Sequence, residues 1–172
     1  RTARAQGVGG RLLDELLVGR PRRMTFSAQN AAALSAYRRA GMHSQGRMLY
    51  LSGSASGGGE QFVLSEWQHD RSDLVAHFAD QGAMVSRDAV LRQRVDGWGV
   101  LRLGAVDAVA ECRLMLAALP LGTAVTLYVP EHDRIAAWLR ERAFVITDHD
   151  VLCTSEGVGL PQNLAVLHPG LA

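Results

Sequence analysis

The sequence predicts a mixed α/β fold, because stretches with the apolar spacing of helices alternate with short apolar runs typical of strands. Leu12, Leu13, Leu16 and Leu17 recur at the spacing of one helix face, and residues 24–28 follow as a short strand-like run. The same order of patterns returns later in the chain at a constant offset of 102 residues. With 172 residues, 48% of them hydrophobic, the chain is long enough to bury a substantial core.

A glycine-rich turn precedes the first predicted helix, which is expected to begin at Arg11. Gly7, Gly9 and Gly10 fall within four residues, so backbone N–H groups can approach a ligand with no Cβ in the way. The N-terminus of a helix attracts anions, because its first amides are unpaired and the helix dipole is positive there. The alternative is an ordinary turn before a helix, and short glycine patterns also arise by chance.

A second helix is predicted for residues 31–40. Asn30 is a favoured N-cap residue, because its side-chain oxygen accepts hydrogen bonds from the free amides of the first turn. Gly41 is favoured just beyond the end of a helix, because glycine adopts positive φ at no steric cost. A purely structural explanation of Tyr37 is that it packs beside Leu34 on the inner face of this helix.

Further strands and helices are predicted from short apolar runs and from apolar spacing. Residues 48–51 and 62–64 indicate strands, and residues 73–80 and 87–95 have the spacing of helices. Residues 52–60 are almost all Gly and Ser, which indicates either a flexible linker or a long hairpin loop. The offset of 102 residues holds without a gap across this stretch, and this favours the hairpin loop over a linker.

The charge of the chain is unevenly distributed, although its net value is only +1. Residues 1–50 contain nine arginines and two acidic residues, a net charge of +7, whereas the rest contains nine basic and fifteen acidic residues, a net charge of −6. A basic first third favours an anionic ligand. Nucleic acid is disfavoured, because this part has few aromatic residues to stack bases and no recognisable reading motif.

Several other classes of protein are disfavoured by composition. No run of 18 apolar residues and no signal-like start is present, so neither a membrane span nor an export signal is predicted. Cys112 and Cys153 lie far apart, which favours two buried thiols in a reducing, cytoplasmic setting. His149 and Asp150 are adjacent, but they match no known spacing of metal ligands, so no metal site is predicted.

The order of these motifs resembles the second half of a GNAT acetyltransferase. Arg4-x-x-Gly7-x-Gly9 is followed by a helix, a strand, Asn30 and then Tyr37 seven residues later. The resemblance covers residues 1–67, and it implies a GNAT-like mixed α/β sheet that binds acetyl-CoA.

The resemblance also implies roles for individual residues. Asn30 would contact the arm of the cofactor, and Tyr37 would be the general acid that protonates the departing thiolate. The implied reaction is transfer of an acetyl or other acyl group from acetyl-CoA to an amine, without a metal. The competing hypothesis is a catalytically inactive GNAT-like module with a binding or regulatory role. The implied pyrophosphate-binding residues are Arg4, Gln6, Gly7, Val8, Gly9 and Gly10.

The second copy of the pattern lacks these residues. Adding 102 to Gly7, Gly9, Asn30 and Tyr37 gives Val109, Glu111, His132 and Leu139. A branched side chain and a carboxylate would oppose phosphate, and no phenol would be left to act as an acid. The predicted organisation is therefore the C-terminal half of an acetyl-CoA-binding GNAT domain at residues 1–67, followed by a shortened, degenerate GNAT-like domain at residues 68–172.

The chain is also expected to be an N-terminally truncated fragment, because it begins inside its most informative motif. The second copy retains an approach strand at residues 98–103, but its counterpart in the first copy falls mostly before residue 1. Residues 24–28 would then form a free sheet edge, which favours self-association. Enzyme activity is expected of the full-length protein, and for this chain alone it is left open.

Overall fold

Helices and strands alternate over residues 8–54 and again over residues 108–155, as the sequence predicts. The structure is a computed structural model, and it describes residues 8–27, 29–59, 83–85, 89–160 and 164–168. The helices are α1 (Val8–Leu17), α2 (Ala31–Arg39), α3 (Ala108–Ala118) and α4 (Arg134–Arg140). The strands are β1 (Met24–Ser27), β2 (Met42–Ser54), β3 (Ala83–Val85), β4 (Ala89–Arg94), β5 (Gly97–Gly104), β6 (Ala124–Pro130), β7 (Val145–Ser155) and β8 (Leu164–Leu167).

The strands form one mixed sheet in the order β1-β7-β2-β6-β5-β4-β3, with β8 paired to β5. Strands β5 and β6 are parallel, whereas the other described pairs are antiparallel. The predicted mixed α/β class is therefore confirmed. In the described part of the chain, no helix is long and apolar enough to cross a membrane.

One face of the sheet packs against α3 and α4. Alternate residues of each strand point to this face, so the apolar set has a period of two. The buried cluster is mainly aliphatic, as the low aromatic content of 6% requires. Its fully buried members include Leu51, Leu127, Val129, Met115, Ile135 and Leu139.

The pairing registers follow the offset of 102 residues. Strand β1 pairs with β7 through Thr25 and Cys153. Adding 102 to Thr25 gives Leu127, and subtracting 102 from Cys153 gives Leu51. These two residues are also paired, between β6 and β2. Bulges interrupt the pairing of β2 with β7 at residues 45 and 147, which are also 102 apart. The four strands β1, β7, β2 and β6 are thus related by a pseudo-two-fold axis between β2 and β7.

The helix predicted for residues 87–95 is wrong, because Ala89–Arg94 form strand β4. Ala89, Val90 and Leu91 are all buried, because β4 is paired on one side with β3 and on the other with β5. A two-residue turn at Val95 and Asp96 then leads into β5. A continuous buried run can resemble a helix segment when only its spacing is considered. The predicted elements at residues 62–64 and 73–80 lie outside the described residues.

The Gly/Ser-rich segment is not a free linker over the part that is described. Strand β2 extends to Ser54, well beyond the predicted residues 48–51, and Ala55 is buried. The amide of Gly57 donates to the carbonyl oxygen of Leu116, and that of Gly59 donates to the carbonyl oxygen of Ala117. The segment therefore satisfies carbonyl groups at the end of α3, which would otherwise lack partners.

Strand β8 fills the space beside β5, where β5 is no longer paired with β6. The parallel pairing of β5 with β6 is limited to Trp98 and Gly99, and β8 pairs with β5 from Arg102 onward. Val166 is fully buried, and the amide of His168 donates to the carbonyl oxygen of Leu101 at 2.8 Å.

The ring of His168 is half-buried, and it contacts the ring of Tyr128 edge to face at 4.5 Å between centroids. Burial, followed by the charges of Arg94 and Arg92, lowers the pKa of His168 below its ordinary value, and Asp150 opposes this shift. The imidazole is therefore kept neutral at pH 7.

We expect Gly97→Ala to destabilise the fold. Gly97 has φ +149°, and a Cβ there would lie 2.2 Å from the carbonyl oxygen of Ala124. The free energy of unfolding should fall by about 2–4 kcal/mol, because both backbone strain and a clash are introduced. Gly58→Ala is the matched control, since Gly58 has φ +80° but open space around it, and it should cost about 1–2 kcal/mol. Equal urea midpoints for the two variants would contradict the clash.

We expect His168 to make folding less favourable in acid. Because its pKa is lowered in the folded state, the stability that it contributes is complete above the unfolded value and is lost as pH falls through the folded one. The free energy of unfolding should therefore decline below about pH 6.5. Urea titrations should show a weaker decline for His168→Gln, whereas His132→Gln, at an exposed position, should follow the parent protein. A parent-like decline in His168→Gln would refute this.

Candidate functional site

Helix α1 begins three residues earlier than predicted, at Val8 rather than at Arg11. Val8, Gly9 and Gly10 therefore belong to the first helical turn, whose amides have no partner within a helix. Val8 and Gly9 are exposed. Among the described residues, a Cβ at Gly9 or Gly10 would meet nothing within 4 Å. The part of the chain that the structure describes therefore does not require glycine at either position. Arg4, Gln6 and Gly7 lie outside the described residues.

Asn30 is the N-cap of α2, as predicted. Its backbone is extended, with φ −98° and ψ 106°. Its side-chain oxygen accepts hydrogen bonds from the amides of Ala32 at 3.0 Å and Ala33 at 3.4 Å. This cap uses the oxygen only, so the side-chain NH₂ group is left as the donor for any ligand at this end of α2.

Tyr37 lies on α2, about two turns beyond the cap. Its side chain is half-buried, and among the described residues no hydrogen bond to its hydroxyl group is present. The helix ends as predicted, because Gly41 adopts φ +77° directly after the C-cap.

Arg23 aligns α1 and α2, and sequence reasoning did not find it. Its Nη1 donates to the carbonyl oxygen of Ala40 at 2.6 Å, and its Nη2 donates to that of Leu17 at 3.3 Å. One guanidinium group therefore holds the C-terminal ends of both helices beside the start of β1. Asn30 follows the other end of β1, so α2 runs antiparallel to this strand. The five donors of an arginine make such a bridge possible, but nothing in the local pattern distinguishes Arg23 from its neighbours.

Residues 68–172, called the second segment here, reach the start of α2, which belongs to the first segment at residues 1–67. Strand β7 lies beside β1, and the side chain of Gln29 is 3.1 Å from Nδ1 of His149. His149 therefore contacts the residue directly before Asn30. Of the described residues, no group of three His, Cys, Asp or Glu could hold a metal ion.

The N-terminus of α3 differs from that of α1. Asp107 caps α3, and its Oδ1 accepts from the amide of Ala110 at 3.2 Å. Glu111 lies in the same first turn. Glu111 therefore stands where the first copy of the pattern has Gly9, and its carboxylate would oppose an anion there. Leu139, the counterpart of Tyr37, is fully buried in the core.

The approach strand predicted at residues 98–103 lies within β5. Beyond Gly99 its edge is occupied by β8, which pairs Arg102 with Leu167 and Leu103 with Val166. The chain itself therefore uses the backbone groups that a ligand would need in order to extend the sheet there.

Comparison with known proteins gives a likeness of fold. No protein-family model matches the sequence, and no curated protein matches it. A crystal structure from Thermoplasma acidophilum, described as a putative acetyltransferase, is 14% identical with a TM-score of 0.46, and the match covers 86% of this chain and 62% of that one.

A crystal structure from Pyrococcus horikoshii, also described as a putative acetyltransferase, is 14% identical with a TM-score of 0.71. The match covers 97% of this chain and 67% of that one. At this identity the likeness establishes the fold alone. The chain therefore has a mixed α/β fold similar to that of the Pyrococcus horikoshii protein over nearly its whole length.

Proposed function

We propose that the full-length protein is an N-acyltransferase, which moves an acetyl or other acyl group from acetyl-CoA to an amine. The observation that carries the proposal is the first turn of α1, where Val8 and Gly9 are exposed and where no described residue would contact a Cβ at Gly9 or Gly10. Glycine within a helix costs about 1 kcal/mol relative to alanine. A ligand that needs close approach to the amides of Val8, Gly9 and Gly10 accounts for that cost.

The ligand proposed for this turn is the pyrophosphate of acetyl-CoA. The first 50 residues carry a net charge of +7, which attracts a polyphosphate. Arg4, Gln6 and Gly7 complete the proposed loop, and Asn30 offers its NH₂ group to the arm of the cofactor. If α1, like α2, runs antiparallel to β1, both helix N-termini lie at the carboxyl end of that strand, within reach of one extended ligand. Likeness to a protein described as a putative acetyltransferase supports the choice of cofactor.

Tyr37 is proposed as the general acid. When an amine attacks the thioester, the leaving group is a thiolate, whose conjugate acid has a pKa near 8.5 if it resembles that of cysteine. A phenol with a pKa near 10 can stabilise the charge that develops on sulfur and can donate its proton once the bond breaks. The absence of a hydrogen bond to the Tyr37 hydroxyl group among the described residues leaves it available for this role.

We further propose a tandem organisation, with a cofactor-binding half domain at residues 1–67 and a degenerate GNAT-like domain at residues 68–172. The registers that obey the offset of 102 residues support this division. Val109 and the carboxylate of Glu111, at the positions of Gly7 and Gly9, support the loss of cofactor binding in the second domain. The two free, buried cysteines favour a reducing compartment, the cytoplasm.

A strand from an upstream segment is proposed to complete the first domain. In the described sheet β1 is a terminal strand, with β7 on one side only. On α1, the apolar side chains of Leu12 and Leu16 are 54% and 62% exposed. Without such a strand, the unpaired side of β1 and the exposed leucines of α1 favour self-association of the chain.

The alternative is an inactive GNAT-like module that binds CoA for a structural or regulatory purpose, or does not bind it. The same structure would serve both functions, because the exposed turn of α1 supports binding but not turnover. Substitution of Tyr37 distinguishes the two hypotheses.

We expect Gly9→Glu in the full-length protein to weaken acetyl-CoA binding by at least tenfold, because a carboxylate would face the pyrophosphate. Leu114→Glu is the matched control, since it adds an exposed carboxylate to α3 instead. Titration calorimetry should give the control the affinity of the parent protein. Unchanged affinity in Gly9→Glu would remove the turn from the cofactor site.

We expect Tyr37→Phe to lower kcat by roughly 10- to 1,000-fold, within the contribution of general acid catalysis. The ring and its packing are kept, so the dissociation constant of acetyl-CoA should change little. Thiol release, measured with a panel of amines, gives kcat, and calorimetry gives the affinity. A parent-like kcat would exclude the catalytic role, and an absence of turnover in the parent protein would favour the inactive module.

A further inference from the structure

A polar cluster lies at the centre of the sheet, and it shares no residue with the proposed cofactor site. The hydroxyl group of Tyr50 donates to the Asp150 carboxylate, and the rings of Tyr50 and Tyr128 meet edge to face at 4.7 Å between centroids. The other side of Tyr128 contacts the ring of His168. Nη1 of Arg94 lies 3.5 Å from the hydroxyl oxygen of Tyr128. Four strands and the residue that follows β8 thus contribute to one cluster.

The fold does not require polar residues at these positions. The pseudo-two-fold axis relates Tyr128, Tyr50 and Asp150 to Phe26, Leu152 and Met48. Leu152 and Met48 are buried and Phe26 is half-buried, so the same places in the other half are filled by apolar side chains.

A polar cluster at such positions costs stability rather than adding it. Apolar residues of similar volume usually replace buried ionic groups without loss of stability. Asp150 is half-buried, and Tyr128 is only 6% exposed. Burial and the Asp150 carboxylate raise the pKa of Tyr50, so its hydroxyl group keeps its proton and its bond to Asp150. A ligand that uses these groups accounts for their presence.

Opposite charges stand at the two ends of the cluster. Arg92 and Arg94 are two residues apart on β4, so their side chains lie on the same face. The side chain of Arg94 covers Gly99, whose Cβ position lies 3.3 Å from Cδ of Arg94, and Nε of Arg94 lies 3.9 Å from Oδ1 of Asp96. Asp150 forms the negative end, beyond the two tyrosine rings. His168 stays neutral near pH 7 and adds no further charge.

We propose that this cluster binds a small molecule that carries a carboxylate and an amine. Arg92 and Arg94 hold the carboxylate, since guanidinium groups match its two oxygens. The Asp150 carboxylate holds the ammonium, and the half-buried ring of Tyr50 packs against the carbon chain and favours the cation. The site does not depend on acetyl-CoA, and its occupancy can be measured without turnover.

Calorimetry with three matched probes tests the proposal. δ-Aminovalerate carries both groups, valerate carries only the carboxylate, and n-pentylamine carries only the amine. We expect saturable binding of δ-aminovalerate, with at least tenfold weaker binding of each of the other two. No saturable binding of δ-aminovalerate to the folded protein would overturn the proposal. Equal affinity for δ-aminovalerate and valerate would overturn the assignment of Asp150.

Substitutions locate the binding. Arg94→Gln should weaken δ-aminovalerate by at least tenfold, and Asp150→Asn should reduce it to the affinity of valerate. Arg113→Gln, at an exposed arginine on α3, is the matched control and should bind as the parent does. If circular dichroism shows that Asp150→Asn is misfolded, Arg92→Gln replaces it, with the same expectation as Arg94→Gln. Parent-like affinity in folded Arg94→Gln would place the ligand elsewhere and refute the proposal.

Discussion

The pairing of β2 with β7 is the interaction on which the rest of the structure depends. These are the two longest strands, and each lies between strands of the other segment. Met48 pairs with Asp150, 102 residues away, so the centre of the sheet forms only when distant parts of the chain meet. The entropic cost of closing such a loop grows slowly with its length, and an extended ladder with buried side chains can offset it. The two segments therefore share one sheet.

Much of the first segment is predictable from local rules. Asn30 and Gly41 mark the ends of α2 because capping and positive φ depend on the residue itself and its immediate neighbours. The strand β1 and the face of α1 follow from apolar spacing over a few residues. The offset of 102 residues is also visible in sequence, since it compares patterns and needs no knowledge of contacts.

The remaining features depend on contacts between distant residues, and local patterns do not contain them. Strand β4 is buried along a continuous run, and only its pairing on both sides distinguishes it from a helix. The glycines at 57 and 59 resemble a linker until the end of α3 is placed beside them. Arg23 joins α1 to α2, and Gln29 contacts His149 of β7. The second contact forms because β7 lies beside β1 in the sheet.

The two halves share strand registers but differ in chemistry, and the differences are where function is to be sought. Related positions share the same pairing across the pseudo-two-fold axis, so a residue that departs from its counterpart is not explained by that pairing. The first turn of α1 carries Gly9 where that of α3 carries Glu111, so the two helix N-termini differ by a carboxylate. Tyr50, Tyr128 and Asp150 depart from apolar counterparts in the opposite half. The repeat is thus broken in two places, at the helix N-terminus that carries Gly9 and at the polar cluster, to which both segments contribute.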